Sequence, residues 1–357
     1  MLRKLAKRAI KSATLPLLAA AGWYREPIER LRASASHWTI VMYHRVIDDP
    51  ALDPFELGMC VKSSHFEKHI EYFARHFTVI PMREAVARLE RGEALPAGAL
   101  SITFDDGYVD NLLIALPIME RYGVSCALFV PTGGMASDEP LWWDRAICAV
   151  ASTDRSSISA RELGLPERYG TLPLSRWQRA RTAQSLLDIL WSLPFEQLTI
   201  AVARLEQALQ PRHAASSFAP RLSVDMIRQM NERGVEIGAH SVWHSSMPLG
   251  SSEDVRREML ESKRYLEEVC AVPVRGFAYP GGRVNEQTVA AAAAAGFAYA
   301  VADARATNAV PYRPHLLSRV GMPDASVIDV QRALARSARQ APGLTYWPGK
   351  RALRCGS

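Results

Sequence analysis

The sequence contains little cysteine, and its cysteines form no pattern typical of a metal site or a redox pair. The 357 residues include five of them, all widely separated: Cys60, Cys126, Cys148, Cys270 and Cys355. An odd number without a C-x-x-C pair argues against a disulfide framework, a cysteine-ligated zinc site and a thioredoxin-like site. Free thiols favour a reducing compartment, because secreted chains usually pair their cysteines.

Long hydrophobic runs are also missing. The most apolar stretch beyond the N-terminal segment is Val289–Ala302, which has 14 residues and is rich in alanine. A membrane-spanning helix needs about 20 predominantly apolar residues, so no span is expected there. Glycine (21 residues) and proline (22 residues) are too few for a disordered or collagen-like chain. The composition therefore predicts a globular protein with a sizeable core.

The chain lacks an excess of charge of one sign once residues 1–36 are set aside. Those residues hold eight lysines and arginines and two glutamates, which accounts for the whole formal net charge of +6. The rest of the chain is balanced, with 35 bases and 35 acids. Residues 37–357 therefore carry no excess of positive charge that would attract the phosphates of a nucleic acid, so we expect no nucleic-acid partner.

The N-terminal residues have the pattern of a basic amphipathic helix. Within Met1–Ala13, apolar residues recur at helical spacing and five basic residues fall on the opposite face. Such a helix can lie on an anionic membrane, so we expect a cytoplasmic protein with peripheral contact to the inner face of the membrane through residues 1–13. A cleaved export signal that uses the apolar stretch Ala13–Gly22, or a plain surface helix, stays open as an alternative. Pro16 interrupts that stretch and favours the interfacial helix.

The remainder alternates strand-length apolar runs with segments of helical period, which predicts βα units and a parallel sheet. We divide it into an α/β domain at residues 37–330 and a C-terminal tail at residues 331–357. Residues 137–222 are too long for a structureless loop and contain two helical patterns, so we predict a helical insertion. The apolar runs are Thr39–Tyr43, Thr78–Pro81, Leu100–Phe104, Ser125–Val130, Val235–Ala239 and Gly276–Tyr279.

Two adjacent carboxylates, Asp105 and Asp106, end one predicted strand and precede Gly107. Functional side chains emerge at the C-terminal ends of parallel strands. A turn at Gly107 can direct both carboxylates into one pocket, one for a metal and one for proton transfer. The alternative is an acidic turn that caps a helix starting near Asn111.

Two histidines, His240 and His244, follow the end of another predicted strand. A helical turn would place both imidazoles on one side. Two neutral imidazoles and a carboxylate, with an open fourth position, form the ligand set of a catalytic zinc site, and other divalent ions fit it as well. H-x-x-x-H alone is a weak signal, so this hypothesis depends on the aspartate pair.

Together these motifs resemble those of the polysaccharide deacetylases, the NodB-homology group of carbohydrate esterase family 4. The resemblance runs from about Ile40 to Arg319, and Met42–Val46 is similar to the first strand of the exopolysaccharide-associated branch. It rests on three motifs in order: Thr103–Tyr108, His240–His244 and Phe277–Gly282. It implies a distorted (β/α)7-type barrel, here with a helical insertion.

The resemblance also implies a function and a set of roles. The activity would be metal-dependent removal of acetyl from an N-acetylated amino sugar, in a polysaccharide or a lipid-linked saccharide. Asp106, His240 and His244 would bind one divalent ion, for which we expect Zn2+, and Asp105 would be the general base. Alternatives are a noncatalytic saccharide-binding barrel and a deformylase-like amide hydrolase.

Two departures from the family pattern affect the proton chemistry. Ala278 stands where the family commonly has an arginine that pairs with the base. Arg275 or Arg283 is a candidate replacement, and each is equally consistent with an ordinary surface charge. A late Leu-x-His motif, whose histidine protonates the leaving amine in many relatives, is not found. We assign the general acid to His44, which ends the first strand, with His315 as second choice; a capping or buried-network role for His44 stays open.

The substrate-binding residues are expected at the same edge of the barrel. A backbone N–H near Tyr108 would help to stabilise the oxyanion. Trp143 offers a flat ring that suits a sugar face, although adjacent tryptophans at the start of the insertion can equally anchor it. The full set of predicted substrate contacts is Tyr108, Trp143, Tyr279, Pro280 and Gly281.

The charge placement in residues 1–13 generates a prediction about membranes. Each of the five bases can contribute about 1 kcal/mol near an anionic surface. A chain that begins near Ser36 should lose salt-sensitive binding to anionic vesicles and keep hydrolysis of a soluble substrate. Vesicle sedimentation measures this; an intact chain that binds no better than the truncated one would contradict the interfacial helix.

Overall fold

The computed structural model describes residues 22–340 and contains a ring of seven parallel strands. The strands are β1 His37–Tyr43, β2 Arg45–Ile47, β3 Cys60–Lys62, β4 Thr78–Val79, β5 Ala99–Asp105, β6 Cys126–Val130, β7 Ser157–Ser159, β8 Thr171–Pro173, β9 Glu236–Ala239, β10 Gly276–Ala278, β11 Tyr299–Asp303, β12 Asn308–Ala309 and β13 Leu317–Gly321. The α-helices are α1 Arg25–Ala33, α2 Ser63–His76, α3 Met82–Glu90, α4 Leu116–Arg121, α5 Trp142–Ser152, α6 Arg179–Leu190, α7 Phe195–Leu209, α8 Val224–Glu232, α9 Ser252–Cys270, α10 Glu286–Ala294 and α11 Val327–Ser337.

The ring runs in the order β1, β13, β11, β10, β9, β6 and β5, and β5 pairs with β1 again. β1 closes it by pairing in parallel with both neighbours, as in the registers Val41 to Val320 and Val41 to Ile102. β4 extends the ring beside β5, and β12 pairs antiparallel with β1. The predicted (β/α)7-type barrel is therefore confirmed.

Alternate residues of the strands face two separate cores, as expected for buried parallel strands. Inward residues such as Ile40 and Phe129 share one cluster, whereas outward residues such as Val41 and Phe104 pack with the surrounding helices. Every residue of β5 is buried. Asp105 points to the barrel interior, as Ser101 and Thr103 do, because alternate residues of a strand share a face. It is the last residue of β5, so its carboxylate lies at the mouth of the barrel.

The stretch between β6 and α8 has its own hydrophobic core, which includes Trp143, Leu186 and Leu198. Three helices, α5 to α7, build it, together with the antiparallel pair β7 and β8. These two strands were not predicted, because three-residue strands are too short to show an alternation of apolar and polar side chains. The insertion starts directly above the carboxyl end of β6.

Two helices pack on the α/β domain beyond the boundaries that the sequence predicted for it: α1 lies before residue 37, and α11 crosses residue 330. Ile28 and Leu31 of α1 are buried in the main core, and Arg32 donates to the carbonyl of His76 at 2.8 Å. α11 extends seven residues past position 330 and is also packed there. The predicted helix Met1–Ala13 lies outside the described residues. Within residues 22–340, no helix has both the length and the apolar character that a membrane span requires.

The packing of α1 changes the design of the truncation and supplies a stability test. The vesicle experiment should therefore use a chain that begins at Gly22, which keeps α1, because a chain that begins near Ser36 loses this packed helix.

Leu31→Ala should lower the free energy of unfolding by about 2–4 kcal/mol, because it leaves a cavity in a buried site. The control is Arg30→Ala, whose exposed pair with Glu26 contributes roughly 0.2–0.5 kcal/mol. Urea denaturation that gave equal losses would show that α1 does not pack as described.

Candidate active site and metal centre

The first acidic motif forms a left-handed turn directly after β5. Asp106 has φ 75° and Gly107 has φ 72°. A Cβ at Gly107 would lie 3.0 Å from a methyl group of Val130, so both the backbone conformation and the space favour glycine there. The turn interrupts the alternation of the strand and keeps Asp105 and Asp106 together at the barrel mouth, as the sequence predicted for this turn.

The histidine motif follows β9, but the backbone between the two histidines is not helical. Ser241 has φ 64° and His244 has φ 53°, so the expected helical turn is wrong. Side chains hold the loop instead: Ser241 Oγ accepts from the His244 N–H at 2.9 Å, and Glu258 Oε2 accepts from the N–H groups of Val242 and Trp243 at 2.9 and 3.0 Å. The loop still brings His244 Nε2 to 3.0 Å from His240 Nε2.

Asp106, His240 and His244 converge on one point. Asp106 Oδ1 lies 3.7 Å from His240 Nε2 and 3.5 Å from His244 Nε2. Both carboxylate oxygens of Asp106 are buried, and neither has a hydrogen-bond partner within the described part of the chain. Burial and the charges of Asp105 and Asp144 raise the pKa of Asp106 well above its usual value. A cation at this point would offset the free-energy cost of burying the ionised Asp106 carboxylate.

The two imidazoles are also prepared for a metal. His240 Nδ1 donates to the carbonyl oxygen of Ala278 at 2.7 Å, which leaves the lone pair of Nε2 facing the cluster. Burial lowers the pKa of His240 to about 4 and lowers that of His244 well below its usual value. Both are therefore neutral near pH 7. These three groups fit a divalent ion, and two nitrogens with one carboxylate are a common zinc ligand set.

Asp105 is bound by an arginine, Arg319, that was not predicted as a site residue. Arg319 Nη1 and Nη2 donate to the two carboxylate oxygens of Asp105, each at 2.7 Å, and both side chains are buried. Burial alone would raise the pKa of Asp105, but the charges of Arg319 and His240, with the hydrogen bonds from Arg319, lower it overall. Asp105 therefore stays ionised and available as a base.

The two replacements proposed for the missing arginine are wrong. Arg275 pairs with Glu90, and Arg283 donates to the carbonyl of Trp191 at 2.9 Å. Arg319 ends Leu317-Ser318-Arg319, a Leu-x-Arg sequence late in the chain, whereas many relatives have a late Leu-x-His motif. A single charged residue within an apolar strand was the available signal, because such a group is buried only when it has a partner.

The structure places His44 in the site and His315 outside it. His44 follows β1, and its backbone carbonyl accepts from Asn111 Nδ2 at 2.8 Å. Burial lowers the pKa of the His44 imidazole, and the charges of Asp105 and Arg319 act on it in opposite directions. His315 Nε2 is bonded to the carbonyl of Phe297, which precedes β11, so this side chain lies away from the carboxyl ends of the strands.

The predicted substrate contacts are mostly buried. The Tyr108 hydroxyl accepts from Trp143 Nε1 at 2.9 Å and donates to Asp144 at 3.0 Å, while the Tyr108 N–H donates to Asn111. The Trp143 ring packs 4.3 Å from the His244 ring. Tyr279 and Pro280 are also buried, and of the five predicted residues Gly281 alone is exposed.

Comparisons with known proteins agree with the motifs and the fold. Residues 200–300 match the family model for polysaccharide deacetylases. A Bacillus subtilis protein named as a polysaccharide deacetylase, YxkH, is 18% identical over 259 residues, or 72% of this chain. The chain spans 61% of the length of that relative.

The solved structures that share the fold include three deacetylases. Deacetylase PplD of Streptococcus pyogenes, solved with acetate, has a TM-score of 0.56 at 18% identity, and the alignment covers 84% of this chain and 98% of the PplD chain. A polysaccharide deacetylase from Bacillus cereus, BC0361, has a TM-score of 0.51 at 14% identity, with 84% and 69% covered. A de-N-acetylase from Aggregatibacter actinomycetemcomitans has a TM-score of 0.51 at 14% identity, with 84% and 99% covered.

These findings confirm the resemblance to the polysaccharide deacetylase family that the three motifs predicted. The enzymes of that family are hydrolases of carbon–nitrogen bonds other than peptide bonds, which is the predicted enzyme class.

The buried pair between Asp105 and Arg319 can be tested by a double-mutant cycle. Arg319→Met leaves the Asp105 carboxylate buried without its partner, so the free energy of unfolding should fall by about 3–5 kcal/mol. Adding Asp105→Asn should recover part of this loss, because the buried charge is removed. The control is Arg275→Met, whose half-exposed pair with Glu90 contributes less than about 1 kcal/mol. Chemical denaturation measures the free energy of unfolding of the four proteins in the cycle and of the control, and strictly additive effects in the cycle would contradict the pair.

Proposed function

We propose that the protein is a metal-dependent N-deacetylase that acts on an N-acetylated amino sugar in a polysaccharide or a lipid-linked saccharide. The observation that carries this proposal is the cluster of Asp106, His240 and His244 beside a carboxylate, Asp105, that Arg319 keeps ionised. A site that only held saccharide would have no evident need for an ionised base next to a metal position.

Asp106, His240 and His244 would hold the ion, and Zn2+ is the one that their nitrogens and oxygen suit best. When bound, such an ion lowers the pKa of water and stabilises negative charge on a carbonyl oxygen. The neutral imidazoles and the unpartnered oxygens of Asp106 are what the chain itself contributes to that affinity.

Asp105 is proposed as the general base. Its Oδ2 lies 3.8 Å from His240 Nε2, so the carboxylate borders the metal position. Each carboxylate oxygen has two lone pairs, so an oxygen that accepts from Arg319 can still take a proton from the attacking water. Arg319 thereby fixes the orientation of the base and keeps it charged before the reaction.

His44 is proposed as the donor of the proton to the leaving amine. Hydrolysis forms a bond from the water oxygen to the acyl carbon, breaks the carbon–nitrogen bond and delivers one proton to nitrogen. His44 lies within the field of Asp105 and Arg319, on the same side of the barrel as both. For this role His44 must carry two ring protons when the carbon–nitrogen bond breaks, so that it gives one to the leaving nitrogen and ends as neutral imidazole. The charge of Asp105 favours this protonated form, against the effect of burial.

We also propose that residues 1–13 attach the protein peripherally to the inner face of the membrane. The basis is the separation of five basic residues from an apolar face in Met1–Ala13. Removal of the segment in cells, with the mature chain found outside the cytoplasm, would replace this proposal with export.

The function is tested by measuring bound metal and acetate release from N-acetylated saccharides on the same samples. Asp105→Asn should keep the metal while turnover falls roughly 10²–10⁴-fold, because the proton acceptor is lost and the three proposed ligands remain. His240→Ala with His244→Ala should lose both metal and turnover. The control is His65→Ala, a histidine bonded to Asp324 outside the cluster, which should keep both.

Two results would overturn the proposal. Full metal content in a folded His240 and His244 double variant would remove the metal site. A wild-type chain that bound metal but released no acetate from any saccharide would point to a noncatalytic saccharide-binding barrel or to another amide substrate.

A further inference from the structure

The ring of His244 is enclosed by tryptophans that all belong to the helical insertion. The Trp143 ring lies 4.3 Å from the His244 ring, and the Trp191 ring lies 5.2 Å from it. Trp142 Nε1 donates to the backbone carbonyl oxygen of His244 at 3.2 Å. None of these tryptophans is on a strand of the barrel, although the histidine that they contact follows β9.

The two histidines of the cluster are oriented in different ways. His240 has the usual support of a metal ligand, because its second ring nitrogen donates to the carbonyl of Ala278. His244 Nδ1 is buried, and within residues 22–340 it has no hydrogen-bond partner. The backbone of His244 is left-handed, at φ 53°, a conformation that is unfavourable for this residue unless the surroundings impose it. A hydrogen bond orients the ring of His240, whereas packing against neighbouring side chains has to orient the ring of His244.

The tryptophans are themselves fixed. Trp143 Nε1 donates to the Tyr108 hydroxyl, which donates to the buried Asp144. Arg45 lies 4.8 Å above the Tyr108 ring. This chain of contacts ties the insertion to the turn that carries Asp106, because Tyr108 is two residues further on.

Trp191 is fixed by contacts with Arg283 and Trp142. Arg283 donates to its carbonyl oxygen at 2.9 Å and lies 4.9 Å above its ring. The Trp142 ring meets it edge-on at 5.2 Å. Trp191 also borders Gly281, where an added Cβ would lie 3.2 Å from the indole.

We propose that the helical insertion positions His244 for metal binding, with Trp143 and Trp191 as the positioning residues. This inference rests on the proposed function, since it assigns a role toward the same ion. The insertion is then part of the metal centre, because the barrel supplies no hydrogen bond that orients the His244 ring within residues 22–340.

The test compares metal affinity in the full chain and in four variants. Trp143→Leu and Trp191→Leu remove the rings that contact His244, and Trp143→Phe keeps a ring but loses the N–H to Tyr108. Trp177→Leu is the control, because Trp177 lies in the same insertion but is 80% exposed. The readouts are the dissociation constants of Zn2+ and Co2+ from competition with a chromophoric chelator, the visible spectrum of the Co2+ form and the thermal midpoint of the metal-free chain.

Both leucine variants should bind Zn2+ and Co2+ about 10–100-fold more weakly, as is typical when the groups that orient a ligand are changed. Their Co2+ spectra should differ from that of the wild type, Trp143→Phe should lose less affinity than Trp143→Leu, and Trp177→Leu should match the wild type. A lower thermal midpoint alone, with unchanged affinity and spectrum, is what a merely structural role would give.

The overturning results are distinct for the two proposals. A wild-type chain that binds neither ion would overturn the proposed function and this inference with it. Wild-type binding, with unchanged affinity and spectrum in both leucine variants, would overturn this inference alone. If Trp143→Leu does not fold, Trp191→Leu decides, because the Trp191 ring is only partly buried.

Discussion

The pairing of β1 with both β5 and β13 is the constraint on which the site depends. It closes the barrel and brings strands from opposite ends of the chain into neighbouring positions. Asp105 and Arg319 are 214 residues apart in sequence, yet their side chains meet at 2.7 Å across the barrel mouth. Without that closure, Asp105 would be a buried carboxylate with no counter-charge, and the main argument for it as a base would disappear.

The interior of the barrel explains why so many charged groups gather at one end. Apolar inward side chains, such as Trp38 and Tyr299, fill its lower part. Its upper part carries Asp105, Arg319 and the metal cluster, all withdrawn from solvent. Electrostatic interactions are stronger in such a place, so each charge needs a partner. Arg319 supplies one for Asp105, whereas Asp106 has none within residues 22–340, and the proposed function gives that place to a divalent ion.

The alternation of apolar runs and helical periods predicted βα units and a parallel sheet, and the resemblance carried by the three motifs implied the barrel. Asp105, Asp106, His240 and His244 each follow a strand pattern, so the carboxyl ends of parallel strands were expected to bring them together. β11 was missed because it continues an alanine-rich apolar stretch, in which Gly296 is the main sign that the preceding helix has ended.

Other features could not be predicted, because they depend on contacts between distant parts of the chain. The pairing of Arg319 with Asp105 requires the closed ring. The enclosure of His244 requires an insertion whose tryptophans show no period of their own. Trp143 illustrates the limit: a sugar contact and an anchor were both consistent with the sequence, and its buried N–H to Tyr108 shows that it packs within the insertion core.

The most direct test of the account is X-ray absorption at the metal edge of the full chain loaded with Zn2+. We predict a first shell of nitrogen and oxygen at about 2.0–2.2 Å, with the outer-shell scattering of two imidazoles and no sulfur. A spectrum with sulfur ligands, or one without imidazole scattering, would contradict the assignment of Asp106, His240 and His244 as the metal centre.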